Sequence, residues 1–460
     1  MEDFFDNELV NRFEDMLDKN ESVYFESDEF CEIISFYLDI YDYEYALKAL
    51  DIAFALYPAN IDLKIKQLEY YVGIEDLHNS FTLIEELRDL CYTDTDYLIA
   101  TARYWSLRKL PYKAIDFYNL ALENEEDEDY IFNCLGNEYL EINEPGLALS
   151  SYKKALEYNS KDEYSLFSCI HCFEVLHQNR ECIAFLKQYI DINPYSEEAW
   201  FQLGLQYLNL NRYEKALYAF DYVIIINQKS IAGYTQKAFC FEKLNQWNKA
   251  IETYEDSLDF DDTAAFTHFK IGQAFNKMRK SIQALNSFQK AVKEDPQFDK
   301  AWFEISNIHD SLGNNEDALF YIKKALDIES KDVNYWKKYA YLNIQSGRYK
   351  EASDSFEIIV ELEPNHFHNW LAYSELLISL GEYSKAAEIL HKSFKNFNRA
   401  ELYYQLGNCY FLMKNLDKGE HFLKMALKLN PTIKEEMQEK YSIFLKDSRK
   451  SKNPDKNLNI

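Results

Sequence analysis

The sequence predicts an all-α fold made of stacked helical hairpins, and three observations predict it. A 34-residue pattern recurs, with its clearest copy from Glu197 to Ser230, EEAWFQLGLQYLNLNRYEKALYAFDYVIIINQKS. Units laid at that spacing from Ser27, with one residue lost before a twelfth unit at Ala400, carry a small residue at their twentieth position throughout. Proline and glycine fall at fixed places in the same register, as punctuation between helices does.

The chain justifies each element in order. Residues 1–26 hold Phe5, Leu9, Phe13 and Met16 on one helical stripe opposite acidic side chains, which predicts an N-terminal capping helix. Units then fill residues 27–432. In the clearest copy, Trp200, Leu203, Gly204 and Tyr207 mark a first helix, and Asn209 to Arg212 form a polar turn. Ala216, Phe220, Val223 and Ile224 mark a second helix, all at three- and four-residue spacing. The twentieth position, where two helices must touch, holds Ala46, Ser80, Ala114, Ala148, Cys182, Ala216, Ala250, Ala284, Ala318, Ala352, Ala386 and Gly419. The eighth position is small in most units, including Gly136, Gly204, Gly272 and Gly407, but bulky at Ile34, Leu68 and Ile170. The helix pairs of those three units are expected to sit further apart or to cross differently. Pro58, Pro194, Pro296, Pro364 and Pro431 close second helices, because proline has no N–H to continue one. Pro111 and Pro145 stand in the turn inside a pair, and Gly313, Gly347 and Gly381 end first helices, where a left-handed residue is needed. Ile433, Met437, Tyr441 and Phe444 predict a C-terminal capping helix over 433–446, and residues 447–460 read as a disordered basic tail.

The residues Trp200, Leu203, Gly204 and Tyr207 followed by Ala216 and Phe220 fit W-x2-L-G-x2-Y…A-x3-F, so the chain resembles the tetratricopeptide repeat family. The resemblance implies an α-solenoid, a right-handed superhelix of about twelve stacked repeats. It further implies a concave groove, lined by first-helix positions 2, 5, 9, 12 and 13, in which a peptide lies. Position 5 carries Phe167, Phe201, Phe269 and Phe303, and position 9 carries Asn137, His171, Phe239, Gln273, Asn307, Tyr341 and Asn408. Aromatic faces give contact area at low entropic cost, and Asn can pair with both groups of a peptide bond. Lys270, Asn276, Lys277 and Lys300 resemble only part of the carboxylate clamp of chaperone-binding relatives. The implied function is a non-enzymatic scaffold that holds a partner peptide or protein. The alternative is a regulatory sensor whose superhelix changes pitch on binding a peptide.

Composition bounds the partners. The net charge of −28 argues against a phosphate-backbone ligand, so no nucleic acid is expected. Residues 1–130 hold 32 acidic and 10 basic side chains, so −22 of the net charge lies there and favours a basic partner toward the N-terminal third. No apolar run suits a signal peptide or a bilayer span, so a cytoplasmic protein with no membrane partner is expected. The 8 cysteines follow no secreted spacing. Cys169, His171, Cys172, His177 and Cys182 form the densest metal-like constellation, but the register puts the cysteines at packing positions, so neither a metal nor a cofactor is expected. No nucleophile elbow, phosphate loop, zinc-protease or dinucleotide motif occurs in the sequence, and no catalytic residue is assigned.

Overall fold

The computed structural model describes residues 8–19, 23–124, 128–261, 264–433 and 435. These residues form twenty-five α-helices and one short 3-10 turn, and no strand occurs among them. The chain divides into two compact bodies, Met1–Gln228 and Lys229–Ile460.

The N-terminal body opens with α1 (Glu8–Lys19). Six hairpins follow. They are α2 (Ser27–Asp39) with α3 (Tyr43–Leu56), α4 (Ile61–Gly73) with α5 (Leu77–Leu87), and α6 (Thr95–Leu107) with α7 (Pro111–Ala121). After them come α8 (Glu128–Glu141) with α9 (Pro145–Tyr158), α10 (Glu163–Val175) with α11 (Asn179–Ile192), and α12 (Glu197–Asn209) with α13 (Tyr213–Ile226). The C-terminal body contains α14 (Ile231–Lys243) with α15 (Trp247–Ser257), α16 (Ala265–Lys277) with α17 (Ser281–Glu294), and α18 (Asp299–Ser311) with α19 (Asn315–Ile328). It continues through α20 (Val333–Gln345) with α21 (Tyr349–Leu362), α22 (Phe367–Ser379) with α23 (Tyr383–Ser393), and α24 (Ala400–Leu412) with α25 (Leu416–Leu429). First helices begin at the first position of the sequence register except α8, which begins one residue early; second helices begin at the seventeenth.

Local chemistry sets these boundaries. Asp42, Asn60 and Asp94 accept from the backbone N–H of Tyr45, Leu63 and Tyr97, which satisfies donors that each helix start leaves open. Proline opens α7 and α9, where its missing N–H costs nothing. Every turn inside a pair reverses through one left-handed residue at position 15. In the α12–α13 turn, Asn211 has φ 55°, its N–H donates to Leu208 O, and the N–H of Arg212 donates to Tyr207 O. This is a Schellman closure. The sequence marks the position only where it is Gly313, Gly347 or Gly381. The same conformation is held by Tyr41, Glu75, Lys109, Asn143, His177, Asn211, Asn245, Arg279 and Lys414.

The pairs close on small residues. All twelve residues of the twentieth position are buried. Position 8 faces position 24 of the partner helix, and a bulky residue at position 8 never meets an aromatic ring at position 24. A Cβ built on Gly136, Gly204 or Gly272 would lie 2.4, 2.5 or 2.6 Å from the ring of Tyr152, Phe220 or Phe288. Where position 8 is Ile34, Leu68 or Ile170, position 24 is the slimmer Leu50, Ile84 or Leu186. The expected loosening is strongest in α10–α11, whose backbones stand far apart, and weaker in α2–α3 and α4–α5. At the other extreme, Gly407 and Gly419 let α24 and α25 touch: a Cβ on Gly407 would meet Gly419 O at 3.1 Å.

Tryptophan at position 4 does more than pack. The indole N–H of Trp200, Trp302, Trp336 and Trp370 donates to the carbonyl six residues earlier, on Pro194, Pro296, Ser330 and Pro364, at 2.7–3.0 Å. Each latches its helix to the loop before it. At the N-terminal end, α1 buries Val10, Phe13 and Met16 against the first hairpin, with Phe13 6.2 Å from Phe25 and 6.5 Å from Phe30. Ile433 is buried beside Ala400 and Ala426. Phe5, Met437, Tyr441, Phe444 and the tail lie outside the described residues, as do residues 125–127 between α7 and α8.

Candidate protein-interaction surface

Position 2 of one first helix meets position 9 of the preceding one where the Tyr164 hydroxyl of α10 donates to Asn137 of α8. In the N-terminal body, Phe167 is 42 % exposed and His171 is exposed, while Phe201 is half-buried with its ring 5.7 Å from Phe220. Asn137 is exposed, but its Oδ1 already accepts from the hydroxyls of Tyr152 and Tyr164, both at 2.6 Å. Its carbonyl therefore ties α8, α9 and α10 together, and only the amide N–H2 remains to serve a ligand.

In the C-terminal body, Tyr341 is 49 % exposed and its hydroxyl accepts from Gln345. Phe239, Gln273, Phe303, Asn307 and Asn408 are half-buried. The Lys243 ammonium lies 4.9 Å from the Phe239 ring, and Phe303 packs 4.9 Å from Tyr335. Phe269 differs from the expectation for position 5. It is 7 % exposed and wedged between Phe288 at 5.5 Å and Phe298 at 4.9 Å, so it is a core side chain. The loop ring of Phe298 closes over it, and nothing in the 34-residue register marks that loop. The partial clamp set is dispersed: Lys270 sits over the Phe266 ring at 5.6 Å, and Asn276, Lys277 and Lys300 are exposed.

Sequence reasoning missed a charged stretch on the first helices of the N-terminal body. Lys66 Nζ bonds Glu69 at 2.8 Å and Asp96 at 2.7 Å, joining α4 to α6. Burial works against the Lys66 charge, but the Glu69 and Asp96 carboxylates outweigh it and hold the ammonium charged. Arg103 of α6 stands half-buried in the field of Glu69. Burial raises the pKa of Asp39, against the pull of Lys66 and Arg103. Charged residues one helix apart, at positions 6, 9 and 2, were the available signal.

A second feature is a cleft of about 430 Å³ bounded by Ser106 and Lys109 at the end of α6, Pro111 at the start of α7, and Asn137, Glu138, Leu140 and Glu141 of α8. Glu138 is buried and its Oε1 accepts a short hydrogen bond from Ser106 Oγ. Burial raises its pKa; the Ser106 bond and Lys109 pull down, and Glu141 pushes up.

The constellation in α10 and α11 is divided by the fold. Cys169, Cys172 and Cys182 are buried, whereas His171 and His177 are exposed and His177 occupies the left-handed turn position. Burial pushes the Cys172 thiol up to about 11, and those of Cys182, Cys240 and Cys409 up to about 12. Thiols held so far from ionisation are poor nucleophiles. No helix among the described residues is long and apolar enough to cross a membrane.

Comparison with known proteins adds the family. Residues 185–218, 299–332 and 400–433 each match a tetratricopeptide repeat model. No protein in the curated set matches the chain. Among solved structures, the chain is similar to a tetratricopeptide repeat protein from Parabacteroides merdae, at 17 % identity over 52 % of this chain and 96 % of that one, with a TM-score of 0.35. It is similar to YrrB, described as having an unusual peptide-binding site, at 19 % identity over 46 % and 93 % with a TM-score of 0.30. It is similar to the Cut9–Hcn1 structure of the APC/C at 14 % identity over 92 % and 90 %, with a TM-score of 0.31. Superpositions this loose say nothing about function. Two of the matched stretches, 299–332 and 400–433, start where α18 and α24 start, and each covers one hairpin and the loop after it. With hairpins of the same register throughout the described residues, the chain is a tetratricopeptide repeat protein.

Proposed function

We propose that this protein is a non-catalytic scaffold that holds a segment of a partner protein against a face formed by successive first helices within a body. The observation that carries this reading is the state of that face. In the N-terminal body Phe167 is left open by the packing, along with the exposed His171 and the Asn137 amide; in the C-terminal body, taken by itself, Tyr341 is left open. Large rings with a polar neighbour are the side chains that dominate binding energy at protein interfaces. The buried thiols are pushed away from reactivity, which suits a framework better than a reaction centre.

Selection from a displayed library of random twelve-residue peptides tests the reading. Peptides retained by the full chain are expected to lose about tenfold or more in affinity against Phe167→Ala or Tyr341→Ala, each change removing a contact of about 1.4 kcal/mol or more. Unchanged affinity for both variants, with helicity preserved, would remove the face from consideration.

A further inference from the structure

Position 10 of the first helix is a packing position. It holds Tyr104, Cys172, Cys240, Ala274, Ile308, Leu342 and Cys409, all buried. Glu138 is the one carboxylate placed there, and it is buried to 5 % exposure. Its nearest analogue, Gln206, is neutral and donates from Nε2 to Glu174 at 3.4 Å on the preceding first helix. Glu138 instead receives only the Ser106 hydroxyl, on Oε1; among the described residues no donor reaches Oε2, which keeps some access to solvent. A largely buried carboxylate with one neutral donor and one oxygen open to the cleft is a ready acceptor for a cation. The carboxylate lines the cleft of about 430 Å³ between α6 and α8, a volume in the range of sites that take small groups. Glu141 adds a second carboxylate at its mouth, Leu140 and Pro111 give it apolar walls, and Lys109, exposed on the rim, favours the Glu138 charge without reaching ion-pair distance. Tyr118 and Cys134 are the other titratable groups in the Glu138 field, and burial holds both neutral.

We propose that this cleft takes a basic side chain, the ammonium of a lysine or the guanidinium of an arginine, from the partner segment. Glu138 Oε2 is the ion-pair acceptor, and Leu140 and Pro111 flank the aliphatic stem. The surrounding N-terminal residues carry most of the negative charge of the chain, which draws a basic segment toward the mouth. The proposal rests on the scaffold reading but uses residues outside the aromatic row, so the two fail separately.

The probe is the same displayed twelve-residue library, selected in parallel on the full chain and on its Glu138→Gln variant. Gln keeps the size of Glu and the Ser106 bond, and helicity is checked by circular dichroism. Peptides retained by the unmodified chain are expected to share a lysine or arginine. Replacing it by citrulline or norleucine, or Glu138 by Gln, is expected to lower affinity about 10- to 100-fold, as for a charge-assisted hydrogen bond, and the two changes together are expected to cost little more than either alone. Equal binding by Glu138→Gln, or additive losses, overturns the cleft assignment. If Phe167→Ala weakens binding while Glu138→Gln does not, the scaffold reading stands and the cleft falls. If no peptide is retained, both fall. Spermidine that displaces the selected peptides from the unmodified chain but not from Glu138→Gln supports the cation site independently of the peptide backbone.

Discussion

Adding one methyl group to the α12–α13 hairpin, Gly204→Ala, is expected to destabilise it, and the structure says by roughly how much. The new Cβ would sit 2.5 Å from Phe220 Cε1 and 2.6 Å from Cζ. Carbon atoms pack comfortably at about 3.5–4.0 Å, so ring or helix must yield by about 1 Å. Such overpacking costs about 1–3 kcal/mol, against which alanine returns up to about 1 kcal/mol of helix propensity. The net loss is about 1–2 kcal/mol. The compensation seen elsewhere in the chain sharpens the expectation. Ile34, Leu68 and Ile170 face Leu50, Ile84 and Leu186 rather than aromatic rings. Phe220→Leu should therefore relieve the clash, and the double variant should be more stable than the sum of the single changes by about 1 kcal/mol or more. A repeat array does not unfold as one unit, so the assay is native-state hydrogen exchange read on peptides from residues 197–226. Additivity within about 0.5 kcal/mol would refute the claim that positions 8 and 24 determine each other's size.

Other expectations follow from the turns, the latches, the thiols and the buried carboxylate. Lys109→Gly and Arg279→Gly relieve left-handed residues at φ 55° and 59°, and each should raise hairpin stability by about 0.5–1 kcal/mol in the same exchange assay, whereas Gly347→Ala at φ 74° should lower it by about 1 kcal/mol. Trp302→Phe keeps an aromatic ring but removes the N–H donated to Pro296 O, and should cost about 1 kcal/mol, read as faster exchange in the loop before α18. The folded-state pKa values of Cys172, Cys182, Cys240 and Cys409 lie above the ordinary 9.0, so the folded chain keeps thiol protons that the unfolded chain gives up. Their stabilising contribution is complete below about pH 8.5 and declines as pH rises toward 11–12, so alkaline titration should lower the thermal midpoint, less so in Cys240→Ala. Glu138 is likewise raised, so the folded state holds its proton longer; stability should fall as pH rises past the unfolded glutamate range, and Glu138→Gln should flatten that slope.

What the sequence revealed and what it hid divide along one physical line. Helix starts, crossing residues and proline stops were legible because each is a local requirement repeated at a fixed interval: a small side chain where backbones approach, a missing N–H where a helix ends. Position 15 was legible only in Gly313, Gly347 and Gly381, because a left-handed residue leaves no trace when the hairpin closure forces Tyr41, Glu75 or Lys414 into it at a cost of about 1–2 kcal/mol. The Trp latches were hidden for the opposite reason. The ring announces burial, while the carbonyl it binds belongs to backbone, which has no letter in the sequence.

The candidate interaction surface follows the same rule. Phe269 and Phe167 share register position 5, yet one is core and the other open, because Phe298 in the loop before α18 covers Phe269. Periodicity identifies the row but not which of its members a neighbouring loop has covered. Glu138 was readable in principle as the one acid at a position otherwise filled by uncharged residues, and that departure is what singles it out for the proposed cation site. In an array whose units solve the same packing problem, a side chain that solves it poorly needs another reason to be there. The carboxylate of Glu138 solves it poorly, with one hydroxyl donor in a site where its counterparts are thiols, rings, aliphatic groups and one neutral amide, Gln206.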